Sequence, residues 1–274
     1  NWYELALNLF KNKNVVYELK EAHRTNSKEL LQVWNLVRNV IGKGNDTKLI
    51  ELLSGYNITK RFNDDSVFEL NKNQIILCLG YEGIYGINNL NRYLQISNSS
   101  PEHIFQQQIY KVNDPIVFII NDYEKYGIYN NLNGIISEIT EDDEYIYFKI
   151  DVLKYMNHFG KIDDEISIID NIVTIRKKKN TYEDYDDDLN NRVKLPFQIA
   201  YAMSMHKAQG LEYDNVKIII TKDNEEYITK NIFYTAITRA RHKLEIYWDP
   251  EIENSVINNM KQADINKKSD LGDI

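Results

Sequence analysis

Strand-sized apolar runs alternate with amphipathic helical stretches at both ends of this chain, and that alternation limits its fold more than any other feature. Trp2, Leu5, Leu9 and Phe10 recur at helical spacing, and Val15–Leu19 reads as a strand. A helix is expected from Ser27 to about Ile41. Its apolar stripe is Leu30, Leu31, Trp34, Val37 and Ile41, its cap Asn26 or Ser27, and its stop Gly42. A shorter helix is expected from about Asp46 to Leu53. The strand Gln74–Leu79 then leads into a helix of roughly Ile84 to Gln95. Near the other end, Leu195–Ala202 restores the pattern. A buried strand Val216–Ile220 follows, then a helix Tyr227–Ala240 and a final strand Leu244–Trp248. Strands alternating with helices predict an α/β layer.

Between these parts the character changes. Ile116–Ile120, Ile135–Ile136, Tyr145–Ile150, Ile166–Ile168 and Ile172–Ile175 are short strand candidates. Turn-forming stretches separate them, such as Asn133-Gly134, Glu141–Asp143 and Asp170-Asn171. Regularly spaced short strands predict a small barrel or antiparallel sheet set into one α/β domain. The expected boundaries are 1–108 for the first part of the α/β domain, 109–190 for the insert, 191–250 for the rest, and 251–274 for a polar tail, weakly helical and loose.

Composition narrows the setting. No apolar run reaches membrane-spanning length, and no basic-then-apolar leader opens the chain, so a cytoplasmic protein with no membrane partner is expected. The single cysteine, Cys78, lies in an apolar strand and reads as a small buried hydrophobe, which leaves no disulfide framework or zinc set. The net charge of −8 argues against nucleic acid when read globally. The acid is clustered, however, at Glu141–Glu144, Asp163–Glu165 and Glu183–Asp188. Basic stretches stand apart at Arg176–Lys179 and Arg239–Lys243. Local fields decide binding, and acidic runs are most simply solvated loops.

Two segments carry candidate chemistry: Ala200-Tyr-Ala-Met-Ser-Met-His-Lys-Ala-Gln-Gly-Leu-Glu-Tyr-Asp-Asn-Val216 and Tyr234-Thr-Ala-Ile-Thr-Arg-Ala-Arg-His-Lys-Leu244. The first reads as a strand entering a short polar helix, with a turn at Gly210. Ser204, His206, Lys207 and Gln209 are expected around the strand's carboxyl end, where open α/β sheets bind ligands. A hydroxyl, an imidazole, an ammonium and backbone amides suit phosphate. In the second, Thr235, Thr238 and Arg239 are expected on one helical face, and an arginine so fixed can offer phosphate a paired planar contact. Any one of these residues alone is more often a solvated ion pair or a satisfied polar group. The two segments together are more specific.

The first segment resembles motif V of superfamily 1 helicases in its RecD-like form, with Ser204 where threonine is usual. The second resembles motif VI. Leu19-Lys-Glu-Ala-His-Arg-Thr-Asn26, before the long helix, resembles motif IV. Leu77–Tyr81 with Gly86–Gln95, and Tyr110–Phe118 with Tyr129–Ile135, resemble the stretches leading into the inserted subdomain, more loosely. The resemblance covers about residues 15 to 248. It implies a RecA-like (P-loop NTPase-type) second motor domain with an inserted small SH3-like β-barrel. In such helicases ATP lies between two RecA-like domains. By this resemblance Arg239 would be the arginine finger and Arg24 a second phosphate contact. Glu212 would hydrogen-bond the ribose, with Gln209 and Gly210 shaping the turn. Ser204, His206 and Lys207 would meet the phosphates of single-stranded DNA, and Arg241 would contact phosphate or only pair on the surface.

The sequence has no G-x-x-x-x-G-K-[ST] loop and nothing resembling a Gly-Asp-x-x-Gln motif, and Asp163-Asp-Glu165, which has the letters of a Walker B site, has no apolar strand before it and reads as a loop. ATP and Mg²⁺ are therefore expected to be held mainly by a separate N-terminal motor domain, and this stretch alone is expected not to hydrolyse ATP. The expected partners are that domain and single-stranded DNA or DNA junctions. The alternatives are a non-catalytic nucleic-acid-binding module on a helicase fold, and an RNA helicase of the same superfamily.

Overall fold

In a computed structural model, residues 24–40, 46–62, 65–71, 73–121, 127–152, 164–179 and 195–269 are described. The helix and strand expected before residue 20 and the acidic run at 183–188 lie outside them.

The near-continuous apolar runs form a five-stranded parallel sheet, as strands buried on both faces should. Its strands are β1 (Thr59–Lys60), β2 (Gln74–Cys78), β11 (Ala202–Ser204), β12 (Tyr213–Ile219) and β13 (Ala240–Tyr247). Their order is β1-β13-β12-β2-β11, with every neighbouring pair parallel. Period-2 alternation sends Ile75, Leu77, Ile218 and Ile246 to one face and Ile76, Cys78, Ile219 and Tyr247 to the other.

The first face is covered by helices α1 (Lys28–Val40), α2 (Asp46–Gly55), α4 (Lys230–Ile237) and the start of α5 (Pro250–Ser269). Ser27 caps α1 by accepting from the Leu30 amide at 3.2 Å. The buried Trp34 indole donates to the Ile237 carbonyl at 3.1 Å and ties α1 to the end of α4. The tail departs from expectation. It is helical from Pro250 to Ser269, and Ile252, Val256, Ile257 and Met260 are buried in the core. A narrow apolar stripe holds a helix whose average composition is polar.

The second face carries α3 (Ile87–Ile96) and a six-stranded antiparallel sheet. That sheet runs β10-β5-β6-β7-β9-β8, from β5 (Pro115–Phe118), β6 (Asn133–Glu141), β7 (Tyr145–Val152), β8 (Ile166–Ile169), β9 (Ile172–Lys178) and β10 (Phe197–Ile199). A hairpin of β3 (His103–Phe105) and β4 (Gln108–Tyr110) completes the layer. Two sequence expectations are refined here. Among the described residues no pairing joins β8 to β10, so the sheet keeps two edges. Leu195–Ala202 does not return the chain to the α/β layer in one step. Phe197–Ile199 still pairs with β5, and the parallel sheet resumes at Ala202.

Asp114 joins the two layers where the chain crosses between them. It is fully buried and accepts from the Lys111 amide at 2.8 Å, Gln95 Nε2 at 2.5 Å, Asn98 Nδ2 at 2.9 Å and the Tyr201 hydroxyl at 2.9 Å. The outgoing crossing precedes β5 and the returning crossing follows β10, and one carboxylate holds both.

Candidate functional site

Motif-bearing residues gather at opposite edges of the parallel sheet. At the amino ends of β12 and β13 stand Glu212, Arg239 and Arg241, with Arg24 beside them. Arg239 is not on a helix, as the sequence suggested. Helix α4 stops at Ile237 because the Thr238 hydroxyl turns back to the carbonyls of Tyr234 and Thr235, at 2.8 and 3.0 Å. Arg239 therefore occupies the corner before β13. It is 5% exposed. Its Nε donates to the Thr235 carbonyl at 2.9 Å, Nη1 to the Leu211 carbonyl at 2.8 Å, and Nη2 to the Thr238 hydroxyl at 3.1 Å. Among the described residues no carboxylate hydrogen-bonds this guanidinium. Desolvation by burial, and then the like charge of Arg24, push its pKa down.

Glu212 lies between the two outer arginines. Arg24 Nε reaches one carboxylate oxygen at 3.0 Å, and Arg241 Nε reaches the other at 3.0 Å. These hydrogen bonds and charges, Arg241 first, hold the Glu212 carboxyl below its ordinary value. Thr25, which sequence reasoning passed over, fixes the arrangement: its hydroxyl donates to the Arg241 carbonyl at 2.5 Å and accepts from the Ser27 amide at 3.0 Å. The Leu211 carbonyl, which takes an Arg239 N–H, was also missed, because a backbone acceptor leaves no mark in side-chain identity.

Ser204, His206 and Lys207 lie at the other edge. Ser204 pairs opposite Cys78 at the carboxyl end of β11, and the Met205 amide extends that ladder to the Cys78 carbonyl at 3.0 Å. The buried Ser204 hydroxyl accepts from the Lys207 amide at 3.2 Å, while His206 is exposed and Lys207 half-buried. No regular helix forms here. A single turn, closed by Ala208 N–H to the Ser204 carbonyl at 3.2 Å, leads past the exposed Gln209 to Gly210 at φ +89°, where glycine is the least strained residue. The chain then recrosses the sheet. Ser204 is level with Cys78, whereas Tyr213 precedes the residue level with Gln74 by two, a separation of about 20 Å at the rise of a strand. The sequence placed the first segment's polar residues at the carboxyl ends of the strands. That holds for Ser204 to Lys207, whereas the arginine cluster forms at the amino ends.

The UvrD-like helicase C-terminal domain family matches residues 199–247, a span holding both edges' residues except Arg24. An uncharacterized protein of Methanocaldococcus jannaschii is 27% identical over 92% of this chain and 21% of its own length. The RecBCD enzyme subunit RecD of Buchnera aphidicola subsp. Schizaphis graminum is 26% identical over 71% of this chain and 28% of its own. The chain is thus similar to RecD-like superfamily 1 helicases, and its residues 199–247 match their C-terminal domain. The ATP-dependent DNA helicase Pif1 of Campylobacter jejuni is also similar, at 26% identity over 53% of this chain and 30% of that protein. The chain spans between a fifth and a third of the length of these relatives. Among its described residues no helix is long and apolar enough to cross a membrane, and no group of three or more His, Cys, Asp or Glu is placed to hold a metal ion.

Proposed function

We propose that this domain is the RecA-like second motor domain of an ATP-dependent DNA helicase, and that it lends phosphate-binding arginines to an ATP site completed by another domain. The observation that carries the reading is the set of Arg24, Arg239 and Arg241 around Glu212 at the amino ends of β12 and β13. Three guanidinium groups against one carboxylate leave net positive charge in a partly desolvated place, which suits a polyphosphate. Arg239 is rigidly held at a strand's start and would stabilise charge developing on the γ-phosphate. Arg24, half-exposed, would make a second contact, and Gln209 and Gly210 would shape the turn behind Glu212. The donor set fits the phosphates of ATP. Mg²⁺ needs oxygen ligands and would be bound by the completing domain. The similarity to the ATP-dependent DNA helicase Pif1 supports DNA as substrate, with Ser204, His206 and Lys207 meeting single-strand phosphates at the opposite edge. The antiparallel sheet would be the SH3-like insert of such proteins.

In full-length protein, Arg239→Ala is expected to remove most DNA-stimulated ATP hydrolysis, on the order of a thousandfold, while nucleotide still binds. Unchanged turnover would refute the finger role. One observation favours the alternative of a non-catalytic binding module: the Arg239 guanidinium already serves three internal acceptors. On that reading, full-length protein binds DNA and never turns over ATP.

A further inference from the structure

We propose that Glu212 is a resident counter-ion against which nucleotide phosphates compete for the arginine cluster, so that it sets how tightly the cluster takes an anion. This inference rests on the nucleotide reading of the cluster and changes the part Glu212 plays in it. Both carboxylate oxygens are already committed: Arg24 Nε holds Oε1, and Arg241 Nε and Nη2 hold Oε2. A ribose hydroxyl would have to share those oxygens with two guanidinium groups. The outward parts of Arg24 and Arg241 remain available, their side chains being 45% and 47% exposed. A phosphate arriving there would meet a fixed negative charge among its ligands.

Removing that charge has two opposed effects. The arginines lose an orienting partner, and exposed ion pairs of this kind contribute about two- to fivefold. The anion loses a repulsion that in water-like surroundings is about fourfold for each charge brought to about 5 Å, so two such charges of a triphosphate give about tenfold or more. The second effect is the larger, and glutamine retains one acceptor oxygen for orientation. Glu212→Gln is therefore expected to tighten anion binding.

The test is calorimetric titration of the full-length protein at low salt with ATP and with inorganic triphosphate, for the unaltered protein, Glu212→Gln and Arg24→Ala. Thermal melting confirms that each variant folds. About tenfold tighter binding of both anions by Glu212→Gln, with Arg24→Ala weakening both, is the expected result. Weaker ATP binding with triphosphate unchanged would assign Glu212 to the ribose and overturn the counter-ion role alone. Unchanged affinity for both would also overturn it. If neither anion binds any of the three proteins, or Arg24→Ala has no effect, the nucleotide reading of the cluster falls as well.

Discussion

The two edges of the parallel sheet differ in how they hold their polar groups. At the amino ends of β12 and β13, charges are internally satisfied: Arg239 serves two carbonyls and a hydroxyl, and Glu212 is held by two arginines. At the carboxyl end of β11 His206 is exposed and Lys207 half-buried, and of the three polar side chains only Ser204 is buried. An edge built from mutual hydrogen bonds is rigid and suits stabilising one defined charge distribution. An edge of more exposed polar groups on a single turn suits a ligand that slides past, such as a nucleic-acid backbone.

The largest expected effect is at neither edge but at their common support. Asp114→Ala strands the Tyr201 hydroxyl and the Lys111 amide in the interior and leaves the Gln95 and Asn98 amides only the Ile109 and Val112 carbonyls, at a cost of about 1–3 kcal/mol for each stranded group. Thermal melting should show this as a large fall in midpoint. A melt within a degree of the unaltered protein would mean the layers do not depend on this carboxylate. Gly86→Ala comes next. An added Cβ there would lie 2.3 Å from the Glu82 carbonyl oxygen, so the turn after β2 must shift at a cost of about 1–3 kcal/mol. The effect should appear in melting and in strand binding, with nucleotide affinity spared. Equal losses of both would remove the distinction between edges. Lys207→Ala should weaken single-strand binding about equally across sequences and lower the slope of log affinity against log salt by about one. An unaltered slope would take Lys207 off the phosphate path. The smallest effect is in acid. The Glu212 carboxyl is held below its ordinary value of 4.5, so its stabilising contribution is present above that value and is lost as pH falls through the depressed one. The melting difference between the unaltered protein and Glu212→Gln should therefore shrink as pH is lowered from 5 to below the ordinary carboxylate range, about 4. A difference independent of pH would mean that charge is not its source.

Much of this was written in local pattern. Ile75–Cys78 and Ile218–Ile220 are apolar without interruption, so their burial on both faces could be read directly. The alternation in Tyr145–Val152 likewise announced a sheet with one inner face. The hairpin β3–β4 left no such mark. Its turn places Gln106 and Gln107 at positive φ, a conformation usually signalled by glycine or asparagine. Helix α4 looked longer than it is because Thr238 fits a helical pattern, yet its hydroxyl closes the helix. The motifs named nearly every side chain now found at the two edges. Their separation was illegible, because it depends on register: β11 and β12 both pair parallel with β2, which puts Ser204 level with Cys78 and Tyr213 two residues before the level of Gln74.

The central claim is that the arginine edge handles nucleotide and the turn after β11 handles the strand. Its most direct test is the equilibrium affinity of full-length protein for a single-stranded oligonucleotide without nucleotide, comparing Arg239→Ala with the double variant His206→Ala/Lys207→Ala. Two edges with separate tasks predict unchanged affinity for the first and at least about tenfold weaker binding for the second. Equal weakening in both, or weakening only in Arg239→Ala, would contradict the division.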